Sequence, residues 1–148
     1  FSADREKYIE FCKRENHKTL LGYGLALSPE QMTAIDKEIA KLMSLTVPWD
    51  PPKTVKPAHP GIDKEEPMYA YKLKQEADAK LYKFVSSKFK TYFVMSTNCV
   101  LLADTIVGTA GTDILSVRGF ISPGTYQDYL DKEFERPHSL VVTKRVYQ

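Results

Sequence analysis

Long apolar runs are absent from this sequence. The longest uninterrupted apolar run covers residues 99–103, and Asp104 ends it. A helix that crosses a membrane needs about 20 consecutive apolar residues. The sequence therefore predicts no transmembrane segment.

The sequence also lacks a dominant charge and the common ligand-binding motifs. Its 21 Lys and Arg residues are interleaved with 19 Asp and Glu residues, whereas nucleic-acid-binding proteins gather basic residues on one face. No cluster of Cys, His, Asp and Glu has metal-ligand spacing, and no glycine-rich loop suits a phosphate. We therefore expect neither nucleic acid nor a metal or other cofactor as a partner.

Cysteine is scarce, since Cys12 and Cys99 are its two occurrences. They could form one disulfide, but small secreted proteins that depend on disulfides carry several pairs. The cysteine content therefore leaves the redox compartment open.

Enough apolar residues are present for one folded domain. Of the 148 residues, 43% are hydrophobic and 11% are aromatic, and single hydrophobic cores usually serve about 100 to 200 residues. We therefore predict a single domain over residues 1–148 and leave open whether a segment upstream of Phe1 completes it.

Local signals predict both helices and strands. Ser28-Pro29 and Ser122-Pro123 each place a capping serine before a proline at the first helical position, and Gln31 completes a capping box. Hydrophobic periodicity predicts three further helices and four strands. The further helices are expected over residues 2–16, 75–86 and 99–107, and the strands over residues 19–27, 69–73, 90–95 and 139–147.

These elements predict an α+β fold. In this fold a small, mainly antiparallel sheet of residues 19–27, 90–95 and 139–147 packs against the helix that begins at Cys99. Two helical faces are expected to point into the core, and they consist of Met32, Ile35, Ile39, Leu42 and Met43 in one helix and Tyr126, Tyr129, Leu130 and Phe134 in the last.

Prolines crowd residues 48–67, which contain six of them and Gly61. Proline disfavours helix interiors and central strands, so this segment predicts a surface loop that Trp49 pins to the domain. A loop of this length is either a solvated excursion or a segment that contacts a substrate or partner.

Cys99 is the most chemically suggestive residue, because it falls in the first turn of the predicted apolar helix. The first-turn N–H groups and the positive end of the helix dipole favour a nucleophilic thiolate and can stabilise an oxyanion. The alternative is that Cys99 is a small apolar residue on a buried helix, since free cysteine is among the most buried residue types.

Residues 92–99 read YFVMSTNC, and the apolar stretch VLLA and the glycines Gly108 and Gly111 follow them. This arrangement resembles the signature of papain-like cysteine hydrolases, in particular the circularly permuted branch of the NlpC/P60 superfamily. Residues 25–31 and 121–124 resemble elements that flank that signature, so the resemblance covers about half of the chain. It implies that Cys99 is the nucleophile and that Asn98 helps to position it.

The resemblance also implies a histidine base on a strand beside the cysteine helix. His138 opens the last predicted strand and is the first choice. His17 precedes the first predicted strand and matches the permuted order, in which the histidine comes before the cysteine. His59, between prolines of the long loop, is the least suitable, and a histidine upstream of Phe1 or no histidine at all are the remaining alternatives.

The resulting hypothesis is a cysteine hydrolase of amide or ester bonds, a peptidase or amidase that acts on a peptide, peptidoglycan or acyl substrate without a cofactor. The resemblance implies a secreted or cell-envelope protein. The alternative is a non-catalytic module of the same fold, which binds a partner or a carbohydrate through the proline-rich loop and exposed tyrosines.

Overall fold

The structure is a computed structural model, and it describes residues 4–15, 19–55, 66–67, 69–90, 99–111 and 122–148. The α-helices in these ranges are Arg5–Glu15 (α1), Pro29–Ser44 (α2), Tyr69–Ala77 (α3), Cys99–Gly108 (α4) and Pro123–Glu135 (α5). The strands are Leu20–Leu25 (β1), Thr46–Pro48 (β2), Thr54–Val55 (β3), Glu66–Pro67 (β4), Tyr82–Phe84 (β5) and Val141–Tyr147 (β6). The predicted α+β class is confirmed.

The described strands pair two by two, β1 with β6, β2 with β5 and β3 with β4. The pairing of β1 with β6 is antiparallel, and at its end the Ala26 N–H donates to the Leu140 carbonyl at 2.9 Å. This pair confirms the contact predicted between residues 19–27 and 139–147. The third strand is predicted over residues 90–95. Lys90 ends a short 3-10 helix, and the other residues of this range lie outside the described residues.

The chain divides into two compact units, each assembled from separate segments. Unit 1 contains Phe1–Leu20, Val47–Lys83 and Tyr147–Gln148, and unit 2 contains Leu21–Thr46 and Phe84–Val146. This division neither confirms nor contradicts the single domain expected from the sequence, which stays a prediction.

Unit 1 is built on the packing of α1 against α3. Its apolar core consists of buried Phe11, Cys12, Leu73, Ala79 and Leu81, against which Leu20, Trp49, Ala70 and Ala77 pack. The packing of Trp49 against this core confirms that the tryptophan anchors the start of the proline-rich segment.

Basic side chains of α1 contact the carboxyl end of α3. Arg14 Nη2 donates to the Glu76 carbonyl at 3.0 Å, and Lys7 Nζ donates to the Asp78 carbonyl at 2.7 Å. Carbonyls in the last turn have no partner within their own helix and form the negative end of its dipole. The two cations therefore fix the point at which α3 ends.

Unit 2 contains the capping box that the sequence predicts. Ser28 Oγ accepts from the Gln31 N–H at 3.2 Å, and Gln31 Oε1 accepts from the Ser28 N–H at 2.8 Å. The second predicted cap is also present, since Ser122 Oγ accepts from the Thr125 N–H at 3.2 Å. Each cap satisfies N–H groups that the first turn leaves without a helical partner.

The core of unit 2 lies where β1, β6, α4 and α5 meet. Val141 of β6 is its buried centre, and apolar side chains of β1, α4 and α5 and of the turn before β6 pack around it. They are Tyr23, Leu25, Val107, Tyr126, Tyr129, Leu130 and Leu140.

Two predicted elements were wrong. Residues 69–73, expected to form a strand, belong to α3, and the helix expected over residues 75–86 is replaced by a helix end and by β5. Ala70, Leu73 and Ala77 pack on the unit 1 core at spacings of three and four, which only a helix allows. Asp78, with a left-handed φ of 53°, then ends the helix.

The apolar helical faces are only partly buried. Leu42 is buried, but Met32 is 46% exposed and Phe134 is 40% exposed, although both were expected to face inward. The apolar face of α2 and that of α5 therefore both extend beyond the area that neighbouring elements cover.

The proline-rich segment contains more regular structure than expected. Thr54 of β3 pairs with Pro67 of β4, and the two strands run antiparallel. Proline is tolerated there because edge strands can spare an N–H donor. Residues 56–65 of the segment lie outside the described residues.

Within the described ranges no helix has both the length and the apolar character needed to cross a membrane. The longest described helix, α2, has 16 residues.

Gly24 of β1 lies directly against Thr143 of β6. A Cβ at this position would overlap the Thr143 hydroxyl and would lie 3.4 Å from Thr143 Cβ. Threonine is stiff about its first side-chain torsion, so the hydroxyl does not move away easily. We expect Gly24→Ala to lower the free energy of unfolding by about 1 to 3 kcal/mol, measured by urea denaturation.

Thr143→Ala provides the matched control for this prediction. It removes the overlapping hydroxyl, so the Gly24→Ala, Thr143→Ala double variant should recover most of the stability that Gly24→Ala loses. A double variant as unstable as Gly24→Ala alone would show that another cause is at work.

Candidate functional site

Cys99 is the first residue of α4, and its side chain is exposed. Cys12, in contrast, is 1% exposed in the core of unit 1. Neither cysteine forms a disulfide. The interpretation of Cys99 as a buried apolar residue does not fit this exposure, whereas it describes Cys12 well.

The rest of α4 is apolar apart from Asp104 and Thr105. Val100 is buried, and the residues that follow are half-buried. Burial raises the pKa of Asp104 above its ordinary value, and the positive charge of Lys88 opposes part of that shift. Burial and the neighbouring Asp104 charge also raise the pKa of Tyr126, in α5. The negative charge of an ionised Asp104 is therefore unfavourable on this otherwise apolar helix.

The carboxyl end of α4 is fixed by a glycine turn. The helix ends at Gly108, as predicted, and Gly111 adopts a left-handed φ of 70°. The Ala110 N–H donates to the Val107 carbonyl at 3.1 Å. The Ala110 carbonyl in turn accepts from Gln31 Nε2 at 3.1 Å, which ties this turn to the start of α2.

His138, the first choice for a base, lies in the turn before β6. It is exposed and has a left-handed φ of 62°. Val141, three residues further along the chain, packs with Val107 at the last turn of α4. Cys99 begins that helix eight residues earlier, about 12 Å away along the axis at 1.5 Å per residue.

Within the part of the chain that the structure describes, no hydrogen bond joins the Cys99 thiol to the His138 imidazole. The pairing of these two residues stays a prediction. His17, His59 and Asn98, the other residues considered for this site, lie outside the described residues.

A polar cluster that the sequence did not indicate holds α5 to the sheet. Tyr23 OH donates to Asp131 Oδ1 at 2.7 Å, and Lys144 Nζ donates to the same oxygen at 2.6 Å. These bonds lower the pKa of Asp131, while burial, followed by the bond to Asp131, raises the pKa of Tyr23 to about 12. Tyr23 and Asp131 are 108 residues apart, so no local pattern could have revealed the contact.

Unit 1 contains a cleft of about 460 Å³ that begins at the proline-rich segment. The residues that line it are Pro48, Trp49, Asp50, Lys74 and residues 78–82. The sequence suggested the proline-rich segment and its neighbouring tyrosines as a contact surface. It gave no signal for Lys74 or for Lys80, because their placement depends on the corrected course of α3.

No metal centre is suggested by the described side chains, among which no group of three or more His, Cys, Asp or Glu residues could hold a metal ion.

Comparison with known proteins yields no relatives: no protein-family model, no curated protein and no solved structure matches the chain. The resemblance to papain-like hydrolases therefore depends on the sequence motif around Cys99 and stays a prediction.

The burial of Asp104 leads to a pH-dependent prediction. Because its pKa is raised in the fold above 3.8, the folded protein holds this proton more tightly than the unfolded chain does. The contribution of Asp104 to stability is therefore largest at low pH and falls as the pH rises through the folded pKa. Asp104→Asn should be more stable than the wild type at pH 7, and this difference should shrink as the pH approaches 4.

Chemical denaturation of both proteins across this pH range measures the difference. Asp36→Asn, at an exposed position of α2, is the control for removing a carboxylate that is not buried. An Asp104→Asn variant that is less stable than the wild type at neutral pH would contradict the unfavourable burial of this carboxylate.

Proposed function

We propose that this chain carries a cysteine hydrolase site in which Cys99 is the nucleophile and an amide or ester carbonyl is the target. The observation that supports the proposal is the exposure of Cys99 at the first position of α4. A thiol at the amino end of a helix is next to N–H groups that lack helical partners and to the positive end of the dipole. These N–H groups can stabilise the negative charge that develops on a carbonyl oxygen when the sulfur attacks.

The packing of α4 gives this thiol a rigid support. Val100 is buried directly after Cys99, and Val107 packs into the unit 2 core at the opposite end of the helix. A nucleophile on a helix that is held at both ends keeps its position relative to a bound carbonyl, which lowers the entropic part of the barrier.

The reaction proceeds in two acyl-transfer steps. The Cys99 sulfur attacks the carbonyl carbon, and the C–S bond forms as the carbonyl oxygen takes up negative charge beside the N–H groups of the first turn. Collapse of this intermediate breaks the bond to the amine or alcohol, which leaves with a proton from the base. Water then attacks the thioester, the acid is released, and Cys99 regains its starting form.

The base of the proposed site is a histidine. His138 is the first choice from the sequence, and His17 and His59 are the alternatives. A peptide, peptidoglycan or acyl group is the substrate class that the sequence resemblance suggests.

Alkylation by iodoacetamide tests whether the Cys99 thiol is activated. At about pH 6 an ordinary thiol, with a pKa near 8.5, is almost wholly protonated and reacts slowly. We expect Cys99 of the folded protein to react about tenfold faster than a free cysteine peptide at this pH, because the proposed reaction requires an exposed, activated thiol. Peptide mapping by mass spectrometry follows Cys99 and Cys12 in the same sample.

Cys12 is the internal control, because its burial should keep it unmodified until the protein is denatured. The variants His17→Ala, His59→Ala and His138→Ala identify the base, and one of them should return the Cys99 rate to that of a free peptide. A Cys99 rate no higher than that of the free peptide would remove the hydrolase proposal and favour the non-catalytic module of the same fold.

A further inference from the structure

One edge of the unit 2 sheet is exposed. Among the described strands β6 pairs with β1 and with no other, so its second edge presents backbone N–H and C=O groups to which none of these strands bonds. Five consecutive residues of β6, residues 142–146, are exposed. An edge of this kind can accept a further strand, because the added backbone supplies hydrogen-bond partners along it.

The exposed side chains of this strand include two valines. Val142 is 53% exposed and Val146 is 54% exposed, although valine is a residue type that is usually buried. An added strand would cover part of both side chains, and apolar pairs across neighbouring strands stabilise a sheet. The edge therefore presents apolar area as well as backbone groups to a partner.

The two cations of β6 have different surroundings. Lys144 Nζ donates to Asp131 Oδ1 of α5 at 2.6 Å and lies 5.8 Å from the centre of the Tyr23 ring, so its charge is compensated within unit 2. Side chains alternate along a strand, so Arg145 lies on the opposite face. Among the described residues its guanidinium has no ion-pair partner. The uncompensated charge of this strand is therefore that of Arg145.

These charges select the strand that can be added. A second copy of β6 would bring further cations beside Lys144 and Arg145, and like charges on neighbouring strands destabilise their pairing. A strand with a carboxylate beside Arg145 is favoured instead, because a guanidinium and a carboxylate form two parallel hydrogen bonds. Val146 lies two residues beyond Lys144 and shares its face. On that face an apolar neighbour is favoured.

We propose that the free edge of β6 binds an extended peptide segment of another protein, in which acidic residues alternate with apolar ones. The acidic side chains lie on the face of Arg145, the apolar side chains lie on the face of Val146, and the backbone extends the sheet by one strand. This binding goes beyond the proposed hydrolase and does not depend on it.

Fluorescence anisotropy with a synthetic peptide tests the proposal. The probe is a fluorescein-labelled peptide of sequence TVEVEVT, and the full chain with Cys99→Ala is the receptor, so that hydrolysis cannot consume the probe. We expect a saturable rise in anisotropy that weakens with added salt, because the contact with Arg145 is exposed. A peptide with lysine in place of both glutamates should bind about tenfold more weakly.

Two N-methylated probes distinguish strand addition from simple charge attraction. One carries N-methyl groups on its valines and the other on its glutamates, so each lacks the N–H donors of one strand edge while it keeps every side chain. At least one of them should bind about tenfold more weakly than the unmodified probe, because the bonds that join a strand to a sheet use the donors of one edge.

Charge reversal connects the binding to β6. Arg145→Glu should invert the preference, so that the lysine peptide binds more tightly than the glutamate peptide. Lys37→Glu, at an exposed position of α2, makes the same change in net charge and should keep the original preference. Val146→Thr keeps the branched shape and should weaken binding about two- to fivefold through the loss of apolar contact. Circular dichroism checks that each variant is folded.

Four results would overturn the proposal. One is the absence of saturable binding of the glutamate peptide to the Cys99→Ala protein. Another is the same peptide preference in Arg145→Glu and Lys37→Glu. The third is unchanged binding of both N-methylated probes, which would show charge attraction without strand addition. The fourth is a dimer in analytical ultracentrifugation that Val146→Thr weakens, which would assign the edge to a second copy of the chain.

Discussion

The side-chain amide of Gln31 is the contact on which the arrangement of α2 and α4 depends. Its oxygen accepts from the Ser28 N–H and closes the first turn of α2, and its nitrogen donates to the Ala110 carbonyl beyond the end of α4. One side chain therefore caps one helix and holds the turn that ends another. Because a helix is stiff over ten residues, fixing its last turn constrains the direction in which its first residue, Cys99, is presented.

Both units are held by polar contacts at the ends of their elements and by small apolar cores between them. In unit 1, Lys7 and Arg14 bind the last carbonyls of α3 beside the core around Phe11. In unit 2, Asp131 joins α5 to the sheet beside the core around Val141. These contacts make the course of the backbone definite where the apolar area alone is small. They fix the end of α3 in unit 1 and the position of α5 on the sheet in unit 2.

Sequence reasoning succeeded where the determining chemistry is local. The serine and proline at the starts of α2 and α5, and Gly108 at the end of α4, act on their own turn and could be read directly. It failed for residues 69–73, where alternation suggested a strand but packing on the unit 1 core selects a helix. The cleft could not be predicted either, since Trp49 and Lys80 meet only after that helix is placed correctly. For Cys99 the sequence predicted the helix start, but its exposure is a property of the fold.

The central functional claim is that Cys99 forms a covalent acyl intermediate, and reaction with p-nitrophenyl acetate tests it most directly. The account predicts a rapid burst of nitrophenolate that approaches one equivalent per chain, with an acetyl group on Cys99 detected by mass spectrometry before slow hydrolysis. Cys99→Ala should abolish the burst. Nitrophenolate release that is linear from the start, equal in the wild type and Cys99→Ala, and without an acetyl adduct on Cys99 would contradict the claim.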